Sequence, residues 1–145
     1  MRRVFVLSVL VMVSVLVSAQ GTLVGDWVTV DDATGGQWAV VTIYKAENGL
    51  YYGKITKMLY QTDNPEELIC TQCKDEDYRK PMEGLTIIRD MKLQDGELRG
   101  GRVLDPNNGK FYYGKIYLKD GKLVLRGSLD RAGILGRSQT WLPRK

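Results

Sequence analysis

Histidine is absent from all 145 residues, and cysteine occurs only twice. The chain therefore lacks the commonest general base at neutral pH and the commonest nitrogen ligand for transition metals. Ser-His-Asp and Cys-His catalysis are excluded outright. Haem attachment through Cys-x-x-Cys-His fails because Lys74 follows Cys73, and a zinc site would lack two of its usual four ligands. No glycine-rich phosphate loop follows a strand and opens a helix. No segment carries a helical apolar period of useful length. Only Pro65-Glu66-Glu67-Leu68-Ile69 suits a single turn, with proline first and acids near the amino end.

The one long apolar run lies at the start. Met1-Arg2-Arg3 leads into Val4 to Val17, relieved only by serines, and Val17-Ser18-Ala19 follows with small residues at its end. This pattern predicts a secretory signal peptide over residues 1–19, cut after Ala19, and a single domain over residues 20–145. The run is shorter than the roughly 20 residues of a membrane-crossing helix, so no stable span is expected after cleavage. Gln20, not cysteine, would follow the cut, which argues against a lipoprotein anchor.

Removing Arg2 and Arg3 leaves 19 Lys+Arg against 17 Asp+Glu, a net charge of +2 with both signs interspersed. Nucleic-acid binding calls for a concentrated basic face, so that class is excluded. Export to the periplasm or beyond also implies an oxidising compartment, in which Cys70 and Cys73 are expected to pair. Closing so short a loop contributes about 2 kcal/mol, enough to brace a loop and too little to hold a domain. As a thiol-disulfide exchange site the pair is badly placed. Such sites sit at a helix amino terminus, whereas here Lys74-Asp75-Glu76-Asp77 follows, and its carboxylates oppose a thiolate. The acids at Asp31-Asp32 and in Asp105-Pro106-Asn107-Asn108-Gly109 miss the calcium-loop spacing and suit Asx turns instead. No metal, cofactor or catalytic residue is expected, and the chain reads as a non-enzyme.

What is present is alternation. From Val24 onward, short apolar-polar segments stop at Gly, Asn or Asp clusters, including Glu47-Asn48-Gly49, Gln94-Asp95-Gly96 and Asp120-Gly121. Eight strands are predicted, at about 24–30, 37–45, 50–59, 85–92, 97–104, 110–118, 122–129 and 137–142. Sequential strands with tight turns favour an all-β, eight-stranded antiparallel up-and-down barrel, with a two-sheet sandwich as the alternative. The long break in the pattern is Tyr60 to Glu83, which holds both cysteines and is the natural place for a lid or a partner-binding loop. An echo links Asn48-Gly49-Leu50-Tyr51-Tyr52-Gly53 to Asn108-Gly109-Lys110-Phe111-Tyr112-Tyr113-Gly114, and shared turn chemistry accounts for it.

A barrel of eight strands is just wide enough to be filled by side chains or to hold one small ligand. Strand aromatics and strand arginines are the candidates for lining it: Trp38, Tyr52, Arg89, Arg102, Tyr113 and Arg126. An inward arginine would seek an anionic partner such as a ligand carboxylate. A one-residue error in register reverses every face.

Gly25-Asp26-Trp27 opening the first strand resembles the Gly-x-Trp start of lipocalins. The resemblance implies that Trp27 closes one barrel end beside a basic residue of the last strand, with Arg137 the candidate. A wider set is similar to the exported bacterial family known as domain of unknown function 2147. It comprises Gly25-Asp26-Trp27 with Asp31-Asp32-x-Thr34-Gly35, Ile43-Tyr44, Asn48-Gly49-Leu50-Tyr51-Tyr52-Gly53-Lys54-Ile55, Cys70-x-x-Cys73, Pro81-x-x-Gly84-Leu85, Leu104-Asp105-Pro106-x-Asn108-Gly109-Lys110, Leu125-Arg126-Gly127 and Gly136-Arg137-x-Gln139-Thr140-Trp141. That resemblance implies a lipocalin-like barrel in the periplasm or outside the cell, with no activity to carry over. The expected function is binding of a small apolar or amphipathic molecule such as a fatty acid. The alternative is an interaction module or inhibitor that presents the Cys-x-x-Cys loop to an envelope or secreted protein.

Overall fold

The computed structural model describes residues 22–145. The predicted signal peptide lies outside the described residues. Nine strand segments follow in order: β1 Gly25–Val30, β2 Gln37–Lys45, β3 Tyr51–Met58, β4 Thr86–Gln94, β5 Glu97–Arg99, β6 Arg102–Asp105, β7 Lys110–Lys119, β8 Lys122–Ser128 and β9 Gly136–Pro143. Segments β5 and β6 are halves of one strand broken at Gly100–Gly101, since both pair with β4 and with β7. The eight strands pair antiparallel with their sequence neighbours, and β1 meets β9 at Trp27↔Pro143 and Val28↔Leu142. The ring is closed through this short β1–β9 pairing, which excludes the sandwich.

The turns follow from local chemistry. Asp95-Gly96 and Asp120-Gly121 both adopt positive φ, the backbone that two-residue hairpins require. Asn48 Oδ1 caps the amide of Leu50, and Asn108 Oδ1 caps that of Lys110 in the same way. Asp31 and Asp105 accept from Ala33 and Asn107, so the acid clusters form the expected Asx turns.

The barrel is filled unequally along its axis. At one end Ile43, Ile55, Ile88, Met91, Leu98, Ile116 and Leu123 are fully buried against Trp27, whose indole donates to the Leu23 carbonyl at 2.9 Å. Arg144, beyond the end of β9, stands 3.5 Å from Asp26 beside Trp27; Arg137, the expected partner of Trp27, lies near Asp32 instead. The physical reason is strand direction: β9 runs from Arg137 through Gln139 to Trp141 and meets Trp27 only at Pro143, so Arg137 starts at the opposite end from Trp27.

The long connection of residues 59–85 packs against the outside of this wall. It contains two single 3-10 turns, Pro65–Leu68 and Asp75–Asp77, and a Cys70–Cys73 disulfide. Both cysteines are buried in the same apolar cluster as Met82, Leu85 and Leu104. Cys70 also exchanges backbone hydrogen bonds with Lys80 and Arg79. The segment is seated rather than draped.

Candidate functional site

The end opposite Trp27 is open, and a cavity of about 940 Å³ enters it. Three connections form its rim: β1–β2, β6–β7 and β8–β9. The volume falls in the roughly 300–1,000 Å³ range of small-molecule sites. Its apolar walls come from Trp38, Ile87, Val103, Leu125 and Trp141, and its polar groups from Arg137, Gln139, Tyr112, Asn108, Asp31 and Asp32.

Strand register decides which side chains reach this space. Paired residues share a face, so Trp27, Val41, Ile55, Ile88, Val103, Tyr112 and Gly127 point one way, and Asp26, Thr42, Lys54, Arg102, Tyr113 and Ser128 the other. On β9 the inward set is Arg137, Gln139 and Trp141. Trp38 reaches the cavity through an irregularity. Thr29 pairs with Ala39 and Val30 with Gln37, which leaves Trp38 as the extra residue of a bulge that re-aims its side chain.

A polar file links β9 to the β1–β2 loop. Trp141 Nε1 donates to Gln139 Oε1 at 3.3 Å, Gln139 Nε2 donates to Asp32 Oδ2 at 3.4 Å, and Arg137 Nη2 stands 4.0 Å from the same carboxylate. Across the mouth, Asn108 Nδ2 donates to the Tyr112 hydroxyl at 2.9 Å, which leaves the phenol proton to donate elsewhere. The site therefore has an apolar floor and a rim holding donors and one loosely engaged arginine.

Of the six residues expected to line the interior, Trp38 does so; Tyr52, Arg89, Arg102, Tyr113 and Arg126 do not line this cavity among the described residues. Tyr52 stacks with Tyr44 on the outer face and donates to Asp90 at 2.8 Å. Arg89 donates to buried Asp77 at 2.9 Å, and its guanidinium and that of Arg102 lie 5.1 and 4.5 Å from the Phe111 ring centre. Arg89 is thus a strut holding the long connection to the wall. Burial alone would raise the Asp77 carboxyl, but hydrogen bonds from Arg89 and Lys80 outweigh it and hold the group below its ordinary value. Tyr113 faces outward beneath Arg131, and Arg126 donates to the Gly133 carbonyl at 2.8 Å. The echoed tyrosines sit on opposite faces: Asn48 binds the outward Tyr52, Asn108 the inward Tyr112. The residues that sequence reasoning missed are Tyr112, Gln139 and Trp141, together with Arg137 in a cavity role. The i, i+2 spacing along β9 was the available signal.

The family model described as an uncharacterized protein conserved in bacteria (DUF2147) matches residues 25–142. Among curated proteins none matches. Among solved structures, protein HP1028 from Helicobacter pylori, described as belonging to the lipocalin family, superposes with a TM-score of 0.71 at 18% identity, covering 87% of this chain and 85% of its own. At that identity the likeness establishes the fold alone.

Proposed function

The chain belongs to the DUF2147 family of bacterial proteins and folds as a lipocalin-like barrel, and from that premise we propose that it is an exported, non-catalytic carrier of a small amphipathic molecule such as a fatty acid. The observation that carries this reading is the half-filled barrel. A side-chain core occupies one end, and an apolar-walled cavity with a polar rim occupies the other. An amphipathic molecule matches that division, its tail covering Trp38, Ile87, Val103 and Leu125 and its anionic head meeting Arg137 and the Tyr112 hydroxyl. Export is supported by the amino-terminal apolar run and by the disulfide. Among the described residues no helix is long and apolar enough to cross a membrane.

Native mass spectrometry of the protein taken from its own periplasm tests the reading, paired with displacement of a fluorescent fatty acid. A bound mass and micromolar displacement are expected, lost in Gly127→Leu, whose new side chain enters the cavity beside Tyr112. Arg137→Gln is expected to weaken a carboxylate ligand about tenfold and leave its methyl ester unchanged. A consistently empty barrel, with no uptake from a fatty-acid and lipid panel, would sink it and favour the interaction-module alternative.

A further inference from the structure

The β6–β7 turn has two sides. Its front faces the cavity, where Asp105, Pro106, Asn107 and Asn108 form part of the rim. Its back rests on the Cys70–Cys73 loop: Cys70 Sγ lies 3.7 Å from the Pro106 carbonyl oxygen, and Pro106 and Gly109 are both buried. At Gly109 the Gln72 carbonyl fills the place a side chain would take, so that a Cβ would fall 1.8 Å from its oxygen and 3.2 Å from the Cys73 nitrogen. Two backbones meet this closely only where one of them carries glycine. The echoed turn before β3 has no such support. A Cβ on Gly49 would meet nothing within 4 Å, so the packing behind Gly109 is an addition to the turn chemistry that the two share.

The support is itself fixed. The disulfide closes a ring around Thr71 and Gln72, so the carbonyl that abuts Gly109 belongs to the short stretch whose freedom the bridge removes. Behind it, the Cys70 amide donates to the Lys80 carbonyl at 2.8 Å, the Cys70 carbonyl accepts from the Arg79 amide at 2.9 Å, and Ile69 pairs with Pro81. The turn in its turn sets a side chain of the cavity. Asn108 Oδ1 accepts from the Lys110 amide at 2.8 Å, which orients the carboxamide so that Nδ2 donates to the Tyr112 hydroxyl at 2.9 Å. The Tyr112 proton is thereby left for a partner in the cavity, whereas that of Tyr52, bound by Asn48 in the same way, is already given to Asp90.

We propose that the Cys70–Cys73 loop is a positioning element of the ligand site: it fixes the β6–β7 rim from behind and, through Asn108, aims the Tyr112 hydroxyl at a hydrogen-bond acceptor on the ligand. The disulfide thus shapes the cavity from outside the barrel wall, without contributing a side chain to it among the described residues. The aiming of Tyr112 rests on the carrier reading. The fixing of the rim does not, because an empty barrel has the same turn on the same support.

Hydrogen exchange and displacement of the fluorescent fatty acid test the two halves separately. The bridge is removed by Cys70→Ala/Cys73→Ala and, with both side chains kept, by a dithiol that becomes a cyclic disulfide as the two thiols form. The Asn108 and Gly109 amides, which donate to the Asp105 carbonyl at 3.3 and 2.8 Å, are then expected to exchange about tenfold faster, while Gly49, which donates to the Ala46 carbonyl at 3.0 Å, keeps its rate. Affinity for the fatty acid is expected to fall about fivefold, and that loss should vanish in a Tyr112→Phe background, where no hydroxyl remains to be aimed. Unchanged exchange at Asn108 and Gly109 overturns the proposal, and so does faster exchange across the whole barrel, since the bridge would then hold the domain and not the rim. An undiminished affinity, or a loss that persists in full with Tyr112→Phe, overturns the aiming of the hydroxyl. If the unaltered protein takes up no fatty acid, the carrier reading fails, and exchange at Asn108 and Gly109 still decides whether the loop supports the rim.

Discussion

The connection of residues 59–85 and the connection between β8 and β9 treat apolar side chains in opposite ways. The long one turns Cys70, Cys73, Met82 and Leu85 into the core and is pinned by Arg89, whereas the short one turns Leu129, Ile134 and Leu135 out and is held rigid by Asp130 and Arg126. Length and a disulfide mark the first as the natural lid, yet it contributes no side chain to the cavity mouth among the described residues. A connection's role thus depends on what covers it. The long segment finds a partner surface on β6–β7, where Cys70 Sγ comes within 3.7 Å of the Pro106 carbonyl oxygen, and the short one finds none.

Glycine separates the two most sharply. Gly109, at φ +71°, lies so close to the long connection that a Cβ there would fall 1.8 Å from the Gln72 carbonyl oxygen, while a Cβ on Gly133, at φ +76°, would meet only the Arg126 side chain at 3.8 Å. Gly109→Ala is expected to cost about 3–4 kcal/mol, overpacking added to left-handed strain, and Gly133→Ala about 1 kcal/mol. Urea unfolding of the pair measures both. Equal costs would mean that the long connection is not seated as described.

The two arginines rank next. Arg89→Met leaves Asp77 buried with Lys80 as its remaining cation and is expected to cost about 2–3 kcal/mol. Arg126→Met removes hydrogen bonds to two half-exposed or exposed loop carbonyls and should cost about 1 kcal/mol, with lost amide protection confined to residues 129–135. Protection lost across the whole barrel would show that this loop is coupled to the core after all.

The smallest effects follow pH. Asp77 and Asp130 are both held below their ordinary carboxyl value of 3.8: Asp77 by Arg89 and Lys80 against its burial, Asp130 by the Ile134 and Leu135 amides. A carboxyl lowered on folding stabilises above its unfolded value and loses that contribution as the pH falls through its folded one. Stability should therefore decline below about pH 4, and Asp77→Asn should flatten that decline. Asp130→Asn should flatten the same decline by less, since the group is exposed, and should loosen the β8–β9 amides, as read by hydrogen exchange.

Strand number, turn positions, the disulfide and the barrel were legible because each depends on neighbours in the chain. Period-2 alternation and Asn-Gly or Asp-Gly pairs act over two to ten residues. The site was only half legible. Tyr113 was expected inside where Tyr112 lies, an error of one residue, and Trp38 is inside only because a bulge against β1 displaces it. Arg89 reads as a ligand contact until Asp77, twelve residues back across a seated loop, is placed against it.

By itself, then, the sequence determined a closed meander of eight antiparallel strands, a braced Cys-x-x-Cys and a chemistry without imidazole. Tertiary structure alone decided which arginine meets the cavity and which connection stands at its mouth. Strand formation is local and tolerant of register, whereas a side chain's face reverses with every single-residue slip, and only closure of β1 on β9 removes that freedom.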